Sequence, residues 1–410
     1  MKKQIAILHF ASPPTVGGVE STIYYHALGL ADLGYQVRVV SGRGAPFDDR
    51  VATAIEPLFS SIHPDVLSVK SELDRGHVSA AFEDLVERHQ RALATTLAGC
   101  DTCLVHNIPT LNKNLPLTTA LHRYASENNI RLLAWCHDLA WTNPQYIPEL
   151  HDGYPWDLLR RPWRDVVYVT VSDTRRHEVA SLLGIPPEDV YVVVPGVDPA
   201  MFFRWTTTTA MLVEKLSLLD ADGLLLLPAR ITRRKNIALG LHVLAALRRQ
   251  SRQDFRLIVT GPPGPHNPAN PGYLGELLSL RDQLVLSSSA HFLYAYGHDD
   301  APLVPDNETM ANLFMMADML FFPSFQEGFG IPVLEAGLAG IPIFCSDIPP
   351  FRETGGAEAN YFDPNGDAPD KIANDILSIL KNSPVHHLRL RVRRFYRWES
   401  LIRNEIVPLV

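Results

Sequence analysis

The sequence predicts an α/β protein of two Rossmann-like domains, each a parallel sheet with helices on both faces. Three observations predict it. Short apolar runs rich in β-branched residues alternate with helix-like segments along nearly the whole chain, as in parallel sheets built from strand–helix units. The alternation pauses once, near residue 200, in "PGVDPAMFFRWTTTTA", and then restarts. The length, 410 residues, suits two domains of ordinary size.

The elements follow in order. The opening "MKKQIAILHF" has too short an apolar run for a signal peptide, and Pro13 and Pro14 follow it, so residues 4–9 read as a first buried strand. A helix is expected from about Glu20 to Leu33, and "QVRVVS" (36–41) is the second strand. "TCLVHN" (102–107), "RLLAWCH" (131–137), "VVYVTVS" (166–172) and "VYVVVPG" (190–196) continue the series. The turn formers and threonines after Pro195 read as a linker. The second half brings "LLLLPAR" (224–230), a helix over about Asn236–Gln250, "FRLIVTG" (255–261), "HFLYAYG" (291–297), "DMLFFPS" (318–324) and "IPIFCSD" (341–347). "GPPGPHNPANPGYLG" (261–275) reads as a long surface loop, with a place beside a ligand as the alternative. In the basic, aromatic end of the chain, Phe395, Trp398, Leu401, Ile402 and Ile406 recur at helical spacing. That predicts a plain terminal helix facing a core, rather than a nucleic-acid or membrane patch.

Composition narrows the function. The chain is 46% hydrophobic and 20% charged, as soluble globular proteins are. A net charge of -8 and a pI near 6.0 argue against nucleic acid. No apolar stretch approaches the ~20 residues of a membrane span; peripheral membrane contact is not favoured. Cys100 and Cys103 have C-x-x-C spacing, but Cys136 and Cys345 stand alone, so ordinary thiols in a reducing compartment are expected.

Open parallel sheets bind ligands at the carboxyl ends of their strands. After the first strand comes "PPTVGGVES", where Gly17 and Gly18 precede a helix and either admit an anion to its start or make a simple turn. After the first strand of the second half come Arg230 and Lys235 in "PARITRRKN", with Arg233 and Arg234 between them. A guanidinium fork and an ammonium suit a polyanion; a solvated basic turn is the alternative. "FPSFQEGFGIPVLEAG" (322–337) sets Glu327 and Glu335 on either side of Gly328, Phe329 and Gly330, and its Pro332 suits a first helical turn. The helix start offers free N–H groups and positive potential to a phosphate. Glycines leave room for that approach. Carboxylates repel phosphate but accept hydrogen bonds from neighbouring hydroxyls. The set reads as phosphate on backbone and cations, with sugar hydroxyls on two glutamates: a nucleotide diphosphate sugar.

"EGFGIPVLE", "GGVE", "RITRRK" and "PGVD" (195–198), in this order over nearly the whole chain, resemble the signature of the family-four retaining glycosyltransferases, glycosyltransferase group 1, of the GT-B fold. The resemblance implies parallel sheets facing a central cleft: an acceptor-binding domain over 1–199, a donor-binding domain over 200–392, and a terminal helix over about 393–410 that packs back on the first domain. It also implies roles. Arg230 and Lys235 would bind the diphosphate and stabilise it as leaving group, and Glu335 would hold the ribose. Glu327 would hold the transferred sugar, helped by backbone N–H groups at Gly328, Phe329 and Gly330. Gly17 and Gly18 would approach the phosphates or the sugar. His137, in "WCHD", would sit beside the donor sugar and complete the catalytic set with Glu327, Arg230 and Lys235. Retention and a front-face attack come from the resemblance alone. In two places the chain departs from the family: the usual "GR" is "AR" at Ala229-Arg230, and the segment 296–314, which often contacts the base, is long.

Acceptor residues are expected on the first domain: Arg43, His106, Asn107, Lys113 and Asp138 at or after strand ends, with Trp141, Tyr146, Tyr154 and Trp156 either stacking on sugars or packing the fold. Arg43 and Lys113 suit an anionic acceptor, and glycosides such as glucosylglycerate are similar in type to acceptors in the family. GDP-mannose is the favoured donor and UDP-glucose the next. No tightly bound cofactor is expected, and no metal, because Arg and Lys supply the positive charge. The expected setting is cytoplasmic, with small-molecule partners and a homo-oligomer left open. The alternatives are a GT-B epimerase or phosphorylase, and a non-catalytic nucleotide-sugar-binding partner. An NAD enzyme would need a glycine fingerprint absent here.

Overall fold

A computed structural model of the chain describes residues 3–264, 270–297 and 301–410. The chain divides into two compact units, one running to Val197 and resuming over Tyr396–Val410, the other Asp198–Phe395.

In the first unit, described strands β1 (Gln4–His9), β2 (Gln36–Ser41), β3 (Val51–Ile55), β4 (Thr102–His106), β5 (Arg131–Cys136), β6 (Val166–Thr170) and β7 (Val190–Val192) form one sheet of order β3-β2-β1-β4-β5-β6-β7. Every pairing is parallel. Successive side chains of a strand point to opposite faces, and β1 uses both. Ala6 and Leu8 join Phe59, Phe82 and Leu121 in one core, while Ile5 and Ile7 join Ile23, Leu30 and Trp135 in the other. A strand buried on both faces reads as a continuous apolar run, which is why it was visible in the sequence. Strand β3 escaped notice because its three central residues are only part-buried or exposed and carry no such run.

In the second unit, β8 (Gly223–Leu227), β9 (Phe255–Val259), β10 (Ala290–Phe292), β11 (Met319–Phe322), β12 (Ile343–Ser346) and β13 (Asn360–Phe362) form a second parallel sheet, order β10-β9-β8-β11-β12-β13. The strand order therefore switches direction between β1 and β4 in one unit and between β8 and β11 in the other. These are the positions where open sheets leave a crevice for ligands.

Several expectations are corrected. The threonine run read as a linker forms helices Pro199–Phe203 and Thr207–Lys215, the second capped by the Thr206 hydroxyl. Of the stretch read as a loop over 261–275, residues from Asn270 onward are helical, and 265–269 lie outside the described residues. In the long segment 296–314, residues 298–300 lie outside them too, and Asn307–Met316 is a helix capped by Asp306. "HFLYAYG" keeps strand geometry only to Phe292 and turns into a short 3-10 helix.

The chain's end is not one helix. Helix Pro384–Phe395 stops, and Trp398 begins a second, irregular stretch whose Val197 pairing (Val197 N–H to Tyr396 O, 2.7 Å) ties it to the first unit. Trp398 stacks on Tyr25, and Leu401, Ile402 and Ile406 join the β1–β4 core. Phe395 does not: it is 61% exposed, because the chain leaves one helix there and turns before the next begins.

Candidate functional site

In the second unit the site forms around the β8/β11 switch. Arg230 follows β8 directly and is exposed. The next turn, Arg233–Lys235, precedes helix Ile237–Ser251. Lys235 is buried and pairs with Glu327, whose loop follows β11; its ammonium also lies 4.9 Å from the Phe322 ring centre. Arg234 adds a second cation to Glu327 at 3.2 Å and donates to the Gln326 carbonyl at 2.9 Å, while the Phe325 N–H returns a bond to the Arg234 carbonyl at 2.8 Å. Two loops from two neighbouring strands are thus stitched together by charge and backbone. Burial pulls the Lys235 ammonium below its ordinary range despite the carboxylate beside it. An anion beside it offsets part of that burial cost.

The loop ends at Gly330, whose φ of +99° places it in the left-handed region, and the helix Ile331–Ala339 starts with Pro332 in its first turn. A Cβ on Gly330 would lie 2.9 Å from the Phe351 ring, so the fold itself requires glycine here. Gly328 differs: a Cβ there would meet nothing within 4 Å. The same holds for Gly18, at the start of helix Gly18–Asp32, with Gly17 extended as its cap. These two positions are open to whatever approaches from outside the chain. Phe329 is about half exposed. Glu335 lies on the second turn of its helix; partial burial raises its carboxyl above the usual range, and it lines a pocket with Asn307, Met310, Phe314 and Leu338.

In the first unit, residues at the ends of β1, β4 and β5 form a histidine cluster that no sequence pattern announced. The His106 Nδ1 and His137 Nε2 are 2.9 Å apart, and His9 Nδ1 donates to the His106 carbonyl at 2.8 Å. His26, from the Gly18–Asp32 helix, packs against Trp135, His106 and Trp398 with both ring nitrogens buried and unpartnered. Burial pushes His137 down to about 4 and His9 to about 3, so both are neutral near pH 7. His137, Lys113 and Arg43 add to the depression at His9, so all three act on one spot.

Two residues expected on the acceptor side are buried. His106 is wholly buried, because its position on β4 points it into the core beside Trp135. Asn107, 3% exposed, is a clamp: in a left-handed conformation (φ 60°) its Oδ1 accepts from the His137 and Asp138 N–H groups at 2.9 and 3.0 Å, and its Nδ2 reaches Asp138 at 3.1 Å. Arg43 and Asp138 are exposed and Lys113 is half-buried. Among the aromatics, Trp156 is core, and Trp141 lies under the Arg160 guanidinium at 4.1 Å. All four cysteines are free thiols.

Comparison with known proteins assigns the two halves separately. A family described as "Glycosyltransferase Family 4" matches residues 16–201, and one described as "Glycosyl transferases group 1" matches residues 212–394. The chain is 23% identical over 274 residues to a mannosylglucosylglycerate synthase of Petrotoga mobilis, covering 62% of this chain and 61% of that protein. It is 27% identical over 276 residues to O-antigen chain mannosyltransferase B of Escherichia coli, covering 66% of this chain and 68% of that one. The chain thus spans about three-fifths of the length of the Petrotoga relative. A solved structure of sucrose-phosphate synthase from Thermosynechococcus elongatus aligns over 98% of this chain and 96% of its own, at 16% identity and a TM-score of 0.36.

Proposed function

The chain belongs to the group 1 glycosyltransferases of GT-B type, and from that premise we propose that it is a retaining, metal-independent hexosyltransferase. It would move a hexose from a nucleoside diphosphate sugar to a hydroxyl of a small polar acceptor, anionic or glycosidic. The observation that carries the reading is the buried Lys235–Glu327 pair at the β8/β11 switch point, with Arg234 on the same carboxylate, the exposed Arg230 on the loop that leads to Lys235, and the open Gly328 next in sequence to Glu327.

The chemistry follows from what each group can do. Breaking the sugar–phosphate bond develops negative charge on the departing diphosphate. Fixed cations and helix N–H groups stabilise that charge more in the transition state than before it. Without donor, Glu327 pairs with Lys235; with donor, the diphosphate takes Lys235 and Arg230, and Glu327 turns to the sugar hydroxyls. Glu335 accepts from the ribose. The acceptor hydroxyl enters on the face the diphosphate leaves, and the departing phosphate takes its proton.

GDP-mannose is the favoured donor, since two relatives carry mannosyl transfer in their names, and UDP-glucose is next. Arg43 and Lys113, both acting on His9, favour an acceptor with a carboxylate or phosphate, glucosylglycerate being the type. Four free thiols support a reducing, cytoplasmic setting. Among the described residues no helix is long and apolar enough to cross a membrane.

The test is thermal stabilisation against GDP-mannose, UDP-glucose, UDP-N-acetylglucosamine, ADP-glucose, GDP and UDP, with and without EDTA. A ligand bound by the folded state raises the melting temperature by mass action. The largest shift is expected with GDP-mannose, unchanged by EDTA. No shift with any of the six would overturn the donor site.

A further inference from the structure

The His106–His137 contact carries information about which proton His137 holds. A carbonyl can only accept, so His9 is the Nδ1–H tautomer by virtue of its bond to the His106 backbone. Between the two rings there are two arrangements. Either His106 Nδ1–H donates to His137 Nε2, or His137 Nε2–H donates to His106 Nδ1. The second forces a hydrogen onto His106 Nε2, which is buried and has no partner. The first leaves only a lone pair there. Buried N–H groups without an acceptor are the rarer and costlier orphan.

We propose that His106 is a positioning residue: it donates Nδ1–H to His137, holds that ring in place, and fixes it as the neutral Nδ1–H tautomer, so that His137 presents a hydrogen-bond donor to a sugar oxygen. The rest of the surroundings serve the same end. Trp135 stacks on His106 at a 22° interplanar angle, and His26 packs against both rings. Asn107 fixes the backbone of His137 through Oδ1. His137 therefore has its backbone, its ring plane and one ring nitrogen all held from inside the first unit, leaving Nδ1 for ligand. This rests on the reading that His137 touches the donor sugar; the tautomer itself does not.

The proposal is tested on the full chain in two ways. Long-range 1H–15N spectra of histidine-labelled protein, assigned with His137→Ala and His106→Asn, report tautomers directly. The expected result is His137 protonated at Nδ1 near pH 7 and His9 likewise; His137 protonated at Nε2 would overturn the proposal. Kinetics on His106 variants form the second arm. Asparagine can place its amide N–H near Nδ1, whereas glutamine places it near Nε2. His106→Gln and His106→Phe should lower kcat by about tenfold to a hundredfold, the loss expected when a contact group is misplaced by about an ångström, with donor KM little changed, and His106→Asn should recover most of it. Equal loss in all three variants, with the tautomer of His137 unaltered, would mean a packing role only. If the Phe variant does not fold, the wild-type spectrum and the Asn–Gln contrast still decide. Normal turnover by His137→Ala, with the Nδ1–H tautomer intact in the wild type, would instead count against the donor-sugar reading and leave the positioning in place.

Discussion

At the scale of single residues, Glu327 is the most informative position. Its carboxylate takes both Lys235 and Arg234, with the side chain only 9% exposed. Glu327→Ala should lower transfer by at least about 10²-fold, the loss typical of one strong transition-state contact. It should also leave Lys235 buried with no acid beside it, so donor affinity falls along with turnover. Near-wild-type kcat in a steady-state assay would remove Glu327 from the reaction. The sequence made Glu327, Lys235 and Arg230 legible because their order and spacing are a pattern. It could not reveal that Lys235 and Glu327 pair with each other before any ligand binds, since that contact joins loops 92 residues apart.

At the scale of elements, the glycine loop separates two demands that look alike in the sequence. Gly330 is held by its positive φ and by Phe351; Gly328 is not held by anything in the chain. Gly330→Ala should cost about 1–3 kcal/mol of stability, the usual size of such strain. Gly328→Ala should leave the melting temperature of the free protein unchanged and weaken donor binding. A melting drop of equal size in both variants would contradict this division. A second element-level device anchors helix Pro384–Phe395. Asp318, fully buried, accepts from Arg393 at 2.8 Å, from the Leu224 N–H at 2.8 Å, and bonds His386 Nδ1 at 3.2 Å. Burial alone would raise its carboxyl, but His386 and Arg393 hold it below the usual range. Removing one member of a buried charge group strands the others. Asp318→Asn should therefore cost about 3–5 kcal/mol in urea unfolding of the second unit; a loss under about 1 kcal/mol, the size of an ordinary surface ion pair, would show the cluster to be dispensable.

At the scale of the whole molecule, the two units should differ in acid. Burial depresses His9 and His26 to about 3 and His137 to about 4, and lowers His89, His106 and His122 as well, all in the first unit; in the second, burial lowers His291 to about 4. Between pH 6.5 and about 4 the unfolded chain binds protons that folded His9, His26 and His137 refuse. Stability then rises with pH across that window and falls as pH drops, by about 1 kcal/mol per pH unit for each such histidine. Carboxylates with depressed values act only below it. Urea unfolding at pH 7 and pH 5 should show the fluorescence transition, dominated by the first unit with five of the six tryptophans, losing more midpoint than the circular-dichroism transition, to which both units contribute. A common shift of both transitions would count against this.

The sequence by itself determined the α/β class, the two halves, most strands and the order of the charged and glycine residues after β8 and β11. Each of these is written locally, as an apolar run, a glycine at a turn or a charge at a fixed spacing. The edge strands β3 and β13 were missed, being short and partly exposed. The tertiary structure decided the rest: that Lys235 and Glu327 meet, that Trp398 and Ile406 complete the first unit while Phe395 stays in solvent, and that His9, His26, His106 and His137 form one cluster. None of these could be read from spacing, because each brings together residues far apart in the chain through the register of parallel strands. A lone histidine in a strand looks the same whether it packs against leucine or against three others of its kind.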